Sequence, residues 1–476
     1  MFLDRLVSLS SRQGLDVAVS AADRRVLYRD LPALVMDAAA RLHAGGVGPG
    51  RVVAITVADE TEHLILALAL LALGAWQVNT ASHESDATRA DLALRTGADL
   101  HLTDCPHITI ANLPQILWTP GIAPSGARAV QPQGGGGAFF STSGTTGRQS
   151  IVKMDEAMLV RQAKRNYLQP SDRFFKAASM EFGHSKRNRL FAVWTGSQNM
   201  FRPPRDPATL SAWLAASGTN VADVSRVNLT GMLSDGASTL PADLALRAEG
   251  SAIPLELRKA ITAQVTPNLH IRYASTETGL ISIAGPQDHD INGALGHPQH
   301  DVEIMIASAE GAPLPPDEIG EICLRTPGMV LGYFDDPAKT AQRFRDGWFL
   351  PGDMGKLMPD GQLVMVGRKD DVINLSGIKI FPVEVERALA SHPDVTAVAV
   401  FPIPSSVHGQ IPVAVVELRP EAMDRQADIL LSLMQSARAE LGIRAPRKVL
   451  ACETLPRNAM GKIVTRELLP LFERQT

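Results

Sequence analysis

Four short segments of this chain carry residue types that could do chemistry together. The first is Phe139-Phe140-Ser141-Thr142-Ser143-Gly144-Thr145-Thr146-Gly147, an apolar strand running into hydroxyl residues interleaved with glycine. Glycine lets backbone N–H groups approach an anion closely, and Ser/Thr hydroxyls add donors, so such a loop can wrap a polyphosphate. A small-residue turn or linker would look the same in isolation. It is not a Walker A loop, because Gly147 is followed by Arg148-Gln149-Ser150. The second segment is Tyr273-Ala274-Ser275-Thr276-Glu277-Thr278-Gly279, where a carboxylate beside hydroxyls suits a hard cation bound to phosphate oxygens, or simply a polar turn. The third is Gly347-Trp348-Phe349-Leu350-Pro351-Gly352-Asp353, followed by Gly367-Arg368. Asp353 could accept hydrogen bonds from two ribose hydroxyls, or belong to a plain Pro-Gly-Asp turn. The fourth, Leu455-Pro456-Arg457-Asn458-Ala459-Met460-Gly461-Lys462, presents one lysine on a glycine turn, as an ordinary surface lysine also would.

The elements that must position these segments are legible in outline. Apolar spacing predicts a helix over Leu31–Leu42, stopped by Gly45-Gly46, and a buried strand over Val52–Val57. A second helix over Leu64–Leu73 ends at Gly74. This strand–helix alternation predicts an α/β fold with helices layered on a sheet. A Pro/Gly-rich stretch from Pro120 to Gly137 leads into the first segment. Late in the chain, the charged joint Gly367-Arg368-Lys369-Asp370-Asp371 follows an alternating strand at Gln362–Val366. After it come a Pro-started helix from Phe381, a strand pair at Val395–Phe401 and Ile411–Leu418, and a helix at Ala427–Leu441. These predict a large N-terminal α/β domain built of subdomains, residues 1–368, and a small C-terminal α+β domain, residues 369–476.

Composition narrows the function classes. At about 100–200 residues per domain, 476 residues predict two or three domains with sizeable cores. An apolar content of 45% excludes a disordered or fibrous chain. The net charge of −4 supplies no basic excess for nucleic-acid binding, and no basic stripe carries interleaved aromatics. Cys105, Cys323 and Cys452 lie far apart, without metal-site spacing, and read as isolated thiols in a reducing compartment. The longest apolar run, Leu64–Trp76, is shorter than the roughly 20 residues of a membrane span. Met1-Phe2-Leu3-Asp4-Arg5 lacks the layout of a signal peptide, so a cytoplasmic protein is expected.

In their order and spacing, the four segments resemble the adenylate-forming (AMP-binding) enzyme superfamily, which comprises acyl- and aryl-CoA ligases, peptide synthetase adenylation domains and luciferase-like proteins. The resemblance covers nearly the whole chain. Gly250-Ser251-Ala252, similar to an adenine-contacting Gly-Gly-Ala, Gly320-Glu321-Ile322 and Asn374-Leu375-Ser376-Gly377-Ile378-Lys379-Ile380 extend it. It implies an AMP-forming acid–thiol ligase: ATP and a carboxylic acid give acyl-AMP and pyrophosphate, and a thiol then displaces AMP. Coenzyme A is the preferred thiol, with the phosphopantetheine of a separate acidic carrier protein, or an amine, as the alternative. A nucleotide-binding protein with degraded catalysis is the reading from a different class. By resemblance, Thr142, Ser143, Gly144, Thr145, Thr146 and Gly147 hold the β,γ-phosphates of ATP, Thr276 the α-phosphate and Glu277 a Mg2+ ion. Asp353 and Arg368 hold the ribose, and Gly250, Ser251 and Ala252 with Tyr273 flank adenine. Lys462 neutralises charge shared by the carboxylate and α-phosphate, and His184 packs beside the carboxylate. Asp370 is the hinge about which a mobile C-terminal domain rotates.

The sequence also departs from the family pattern. Ser150 stands where the phosphate loop normally has lysine, leaving Arg148 or Lys153 to supply the charge. Pro351 and Ala274 replace a usual threonine and glycine. In Met180-Glu181-Phe182-Gly183-His184-Ser185-Lys186-Arg187-Asn188-Arg189, which aligns with the motif lining the acyl pocket, Gly183 stands where amino-acid-activating members place aspartate. An aryl or fatty acid is therefore expected rather than an ordinary α-amino acid, although Glu181 lies close by. The four basic residues from His184 to Arg189 read as a solvated helix face or as a docking patch for an acidic partner or the phosphate of coenzyme A. A second cluster, Arg444, Arg447, Lys448, Arg457, Lys462 and Arg466, is opposed in sequence only by Glu453.

Overall fold

A computed structural model describes the chain apart from residues 23, 121–129, 143–148, 204–205, 237, 458–462 and 474–476. The expected Leu31–Leu42 helix runs from Leu31 to Ala44, with Pro32 in its first turn and Gly45 at its end. Asp59 starts the next helix, Glu60–Ala72, its carboxylate accepting from Glu62 N–H at 2.8 Å. A cap of this kind is worth about 1 kcal/mol. That helix is buried on every side from Thr61 to Ala72, so its apolar run makes it a core helix.

Three sheets organise the described residues. In a six-stranded sheet the order is Gln115–Leu117, Leu100–Thr103, Val52–Thr56, Trp76–Asn79, Gly137–Thr142 and Ser150–Asp155, parallel except for the last strand. A second, fifteen-stranded sheet contains the parallel run Gln198–Met200, Arg173–Lys176, Val221–Val224, Ala245–Ala248 and Leu269–Ser275. It then turns antiparallel through Gly279–Ala284 and continues to Asp353–Leu357 and Leu363–Arg368. The helix Gly183–Thr195 contacts strands of both sheets. A five-stranded sheet is built from Ile373 onward around the long pair Val395–Ser405 and Gly409–Leu418, and the helices Pro382–Ala390 and Gln426–Leu441 join its core.

The fold is thus a mixed α/β arrangement with a large N-terminal domain and a small C-terminal one. Among the described residues, no helix is long and apolar enough to cross a membrane.

Candidate active site

The strands Leu269–Ser275 and Gly279–Ala284 form a hairpin whose tight turn carries Thr276 and Glu277. Ser275 Oγ closes the turn by accepting from Thr278 N–H at 3.1 Å, and Gly279 takes φ +75°, which favours glycine. From outside the hairpin, Val330 N–H donates to the Glu277 carbonyl at 2.9 Å. The Glu277 side chain is buried and accepts from the Tyr333 hydroxyl at 2.9 Å. Burial, and then the Glu277 charge, push the Tyr333 phenol up, so it remains a donor.

Asp353 and Arg368 face each other across the strand pair Asp353–Leu357 and Leu363–Arg368. Arg368 donates to Asp353 Oδ1 at 2.6 Å, and the Tyr273 hydroxyl donates to Oδ2. Burial, followed by the Asp353 charge, raises the Tyr273 phenol well above its ordinary value. Tyr273 shares its strand with the Thr276 turn, and Glu277 acts on it electrostatically. Tyr273, Thr276, Glu277, Asp353 and Arg368 therefore assemble from segments far apart in sequence. A carboxylate offers about four lone-pair sites, so Asp353 retains acceptors after these two bonds.

The loop Gly250-Ser251-Ala252 follows the strand Ala245–Ala248, next in the sheet to Leu269–Ser275, and is exposed. Thr142 ends its strand paired with Ser150. Ser143, Gly144, Thr145, Thr146 and Gly147 lie outside the described residues, as do Arg148 and Lys462. Of the residues on either side of 458–462, Arg457 pairs with Ile463, and Val464 N–H donates to the Pro456 carbonyl at 2.8 Å. Asp370 lies just past the strand Leu363–Arg368 and pairs with Arg343 at 2.7 Å.

Of the two side chains expected to supply charge near Ser150, Arg148 lies outside the described residues and Lys153 is turned elsewhere. Lys153 points into an aromatic group, its ammonium 4.2 Å from the Trp76 ring centre and 5.3 Å from that of Phe334. Instead Lys339, from the helix Pro337–Arg343, donates to Ser150 Oγ at 2.7 Å and lies 5.3 Å from the Tyr333 ring centre. Nothing local in the sequence pairs residues 150 and 339.

The basic stretch from His184 to Arg189 is neither a solvated face nor a docking patch. Lys186, Arg187 and Arg189 are buried, at 1%, 5% and 0% exposure. Arg187 donates to the Thr276 carbonyl at 2.8 Å and the Ser275 carbonyl at 3.3 Å, which braces the turn beside Glu277. Arg189 donates to the carbonyls of Lys176 and Met200. Burial, with the Lys176 charge second, lowers the His184 imidazole to about 4, so it is neutral at pH 7. Glu181 accepts from Ser82 N–H and Oγ at 2.6 and 2.7 Å, which commits it to that loop.

Behind His184 lies a charge network that the sequence reading missed. Asp223 receives Arg247 at 2.6 Å, Arg272 at 2.8 Å and Lys176 at 3.5 Å, while Glu249 binds Lys176 and, at 3.0 Å, Arg272. These residues lie on neighbouring parallel strands or just after them, with Lys176 and Glu249 at C-terminal ends, the edge where open α/β sheets bind ligands. Burial pushes the Glu249 carboxyl up, but Lys176 and Arg272 outweigh it and the group is lowered overall. The signal was present as charges interrupting apolar strands, in Arg-Phe-Phe-Lys, Val-Ala-Asp-Val and Ala-Leu-Arg-Ala.

The second basic cluster is also less free than its sequence suggests. Arg444 faces Glu384 at 3.6 Å and Arg457 faces Glu417 at 3.4 Å, so Glu453 is not its only opposing carboxylate.

Comparison with known proteins agrees with this layout. Residues 138–334 match the AMP-binding enzyme family and residues 384–462 the AMP-binding enzyme C-terminal domain. A 2-succinylbenzoate–CoA ligase of Geobacillus kaustophilus is 31% identical over 274 residues, 56% of this chain and 55% of that protein. A fatty acid–acyl-carrier-protein ligase, ScoC, of Streptomyces coeruleorubidus is 32% identical over 205 residues, 42% of this chain and 39% of that protein. The chain thus spans about half the length, or less, of these two relatives. ATP-bound MatB of Rhodopseudomonas palustris shares the fold at a TM-score of 0.88 and 22% identity, over 99% of both chains. Two successive matches that together take in more than half of the chain, on a fold shared from end to end, show that this chain belongs to the AMP-binding, adenylate-forming enzyme superfamily.

Proposed function

We propose that this chain activates a carboxylic acid with ATP to an acyl adenylate and transfers the acyl group to a thiol, coenzyme A by preference. The observation that carries the reading is the contact of Asp353 with Tyr273 and Arg368 beside the Thr276–Glu277 turn. A carboxylate is a poor electrophile, because attack adds charge to an anion and must expel oxide. Converting it to a mixed anhydride with AMP removes both obstacles, and the catalytic work is then positioning and charge neutralisation. Arg368 and Tyr273 hold the Asp353 carboxylate so that its remaining lone pairs meet a ribose diol, and Gly250–Ala252 with Tyr273 flank the base. Thr142, with the loop that follows, takes the β,γ-phosphates, and Thr276 the α-phosphate. His184, neutral, packs beside the acid's carboxylate.

Glu277 would hold Mg2+. Its carboxylate is buried and makes one side-chain hydrogen bond among the described residues, so lone pairs remain for a cation. No group of three or more His, Cys, Asp or Glu able to hold a metal occurs among the described residues. That fits an ion that draws most ligands from phosphate oxygens and water. Bound there, the ion would screen charge on the phosphates. Lys462 neutralises the adenylation transition state, and the domain of residues 369–476 turns about Asp370 to bring in the thiol.

Acid-dependent exchange of pyrophosphate into ATP, measured over aryl, fatty and dicarboxylic acids, tests the reading. Exchange with a subset is expected, and exchange with none would favour a nucleotide-binding protein without catalysis. Repeating the positive acids with coenzyme A and with a carrier protein separates the acceptors; the likeness to an acyl-carrier-protein ligase keeps the second in view. Lys462→Ala is expected to lower exchange by about three orders of magnitude while preserving thioester formation from preformed acyl-AMP. Equal loss in both assays would sink that role for Lys462.

A further inference from the structure

We infer that the acid accepted by this chain carries a second anionic group, a carboxylate, which Lys186 and Arg187 bind from the start of the helix Gly183–Thr195. The inference rests on the ligase reading above and names the substrate class of that same site.

Both side chains are buried, and a buried cation is costly unless an anion and hydrogen-bond acceptors compensate it. Neither forms an ion pair among the described residues. Lys186 Nζ donates to Asn79 Oδ1 at 2.8 Å, its one hydrogen bond there out of three donors. Asn79 is itself held by donating to the carbonyls of Met180 and Glu181. Burial alone pulls the Lys186 ammonium down to about 7, as expected of a cation with no anion beside it. Arg187 uses its two terminal nitrogens on the Thr276 and Ser275 carbonyls, and its buried Nε has no acceptor. Glu249 and Glu277 act on Arg187 only through space, and Glu249 is already bound by Lys176 and Arg272. In the adjoining network three cations already outnumber the two carboxylates Asp223 and Glu249. Positive charge is therefore in excess on this side of the site.

The position matches the reaction. Residues i, i+3 and i+4 of a helix share one face, so Gly183, Lys186 and Arg187 lie together. A Cβ at Gly183 would stand 3.2 Å from Phe140, in the strand that ends at Thr142. Arg187 reaches the Thr276 carbonyl on the other side. The face lies between the phosphate-loop strand and the α-phosphate turn, where an acid must enter. Lys186, held at Asn79, and Arg187, held at Thr276 with its guanidinium 6.0 Å from the Phe140 ring centre, flank this face from two sides, and each suits a carboxylate, which accepts from either in short charge-assisted bonds. The same two cations repel the ammonium of an α-amino acid.

The test is pyrophosphate exchange by the full chain with length-matched acids: succinate against butyrate, glutarate against pentanoate, phthalate against benzoate. In at least one pair the dicarboxylate is expected to exceed its partner in kcat/KM by about 30-fold or more. Lys186→Met should cut that ratio about tenfold, and Lys186→Arg should keep most of it. A ratio of one or below in every pair overturns the inference, as does a ratio unchanged in Lys186→Met. If Lys186→Met does not fold, the wild-type ratios decide, together with thermal stabilisation of the wild type by each acid of a pair. Exchange with monocarboxylates alone defeats this inference and leaves the ligase reading intact. Exchange with no acid defeats both.

Discussion

Asp223 is the residue on which most of the buried charge turns. It pairs with Arg247, Arg272 and Lys176 and is almost fully buried. Removing one member of a buried ion network leaves uncompensated charge, which costs about 3–5 kcal/mol. Asp223→Asn keeps the shape and deletes the charge, so it is expected to lower unfolding free energy by about that amount, read from urea or thermal denaturation. A loss below about 1 kcal/mol would mean that solvent reaches the network. Lys339 makes the complementary point. It brings an ammonium to Ser150, the position where the family pattern has lysine, from a helix remote in sequence. A missing charge in a motif is therefore not the same as a missing charge in the site.

At the scale of elements, the seam between the domains combines fixed and releasable contacts. Arg343 pairs with Asp370, and Lys369 pairs with Glu321 at 2.6 Å, the glutamate of the Gly320-Glu321-Ile322 segment. Gly352 takes φ +80°, and a Cβ there would collide with the Arg343 guanidinium, so this turn needs glycine to keep the clamp in place. Both ion pairs are partly exposed and worth little individually, about 0–1 kcal/mol, which allows them to break and reform. If the small domain turns about Asp370, fixing φ there should stop the second half-reaction only. Asp370→Pro is expected to retain pyrophosphate exchange within about threefold and to lose acyl transfer to the thiol by about 100-fold, read from thioester yield with preformed acyl-AMP. Equal effects on both steps would remove Asp370 from the hinge.

For the whole molecule, buried titratable groups set the pH dependence of stability. Burial lowers His63 to about 3, with the Lys186 charge adding to it, and His101 to about 4, with Arg89 adding. His184 behaves alike. Each stays neutral in the fold and binds a proton on unfolding between its folded value and the ordinary 6.5. The stability they allow is therefore complete above pH 6.5 and falls as pH drops toward 4. Glu386 has the opposite sign. Burial raises it to about 7, against the opposing pull of Val400 N–H and of Arg226 in the large domain. Its contribution is full below 4.5 and is lost as pH rises through 7. His101→Gln is expected to flatten the decline between pH 6 and 5 by about 1.4 kcal/mol per pH unit, one proton's worth, in denaturation curves at each pH. An unchanged slope would mean that His101 is protonated in the folded chain.

The sequence by itself determined whatever lies in one contiguous stretch. Helices at Leu31, Glu60 and Gln426 follow from apolar spacing and end signals, because those depend on neighbours three or four residues away. The Thr276–Glu277 turn was legible for the same reason, since its neighbours Ser275 and Gly279 close it. Tertiary structure alone decided which charges are buried and with whom. Lys186, Arg187 and Arg189 look like a solvated basic face in sequence, yet the helix Gly183–Thr195 lies between two sheets, and its charges end against Asn79, Thr276 and Lys176. Asp223 meets its cations only after four strands align in parallel register. Burial and pairing are sums over residues far apart in the chain, so composition and spacing cannot report them.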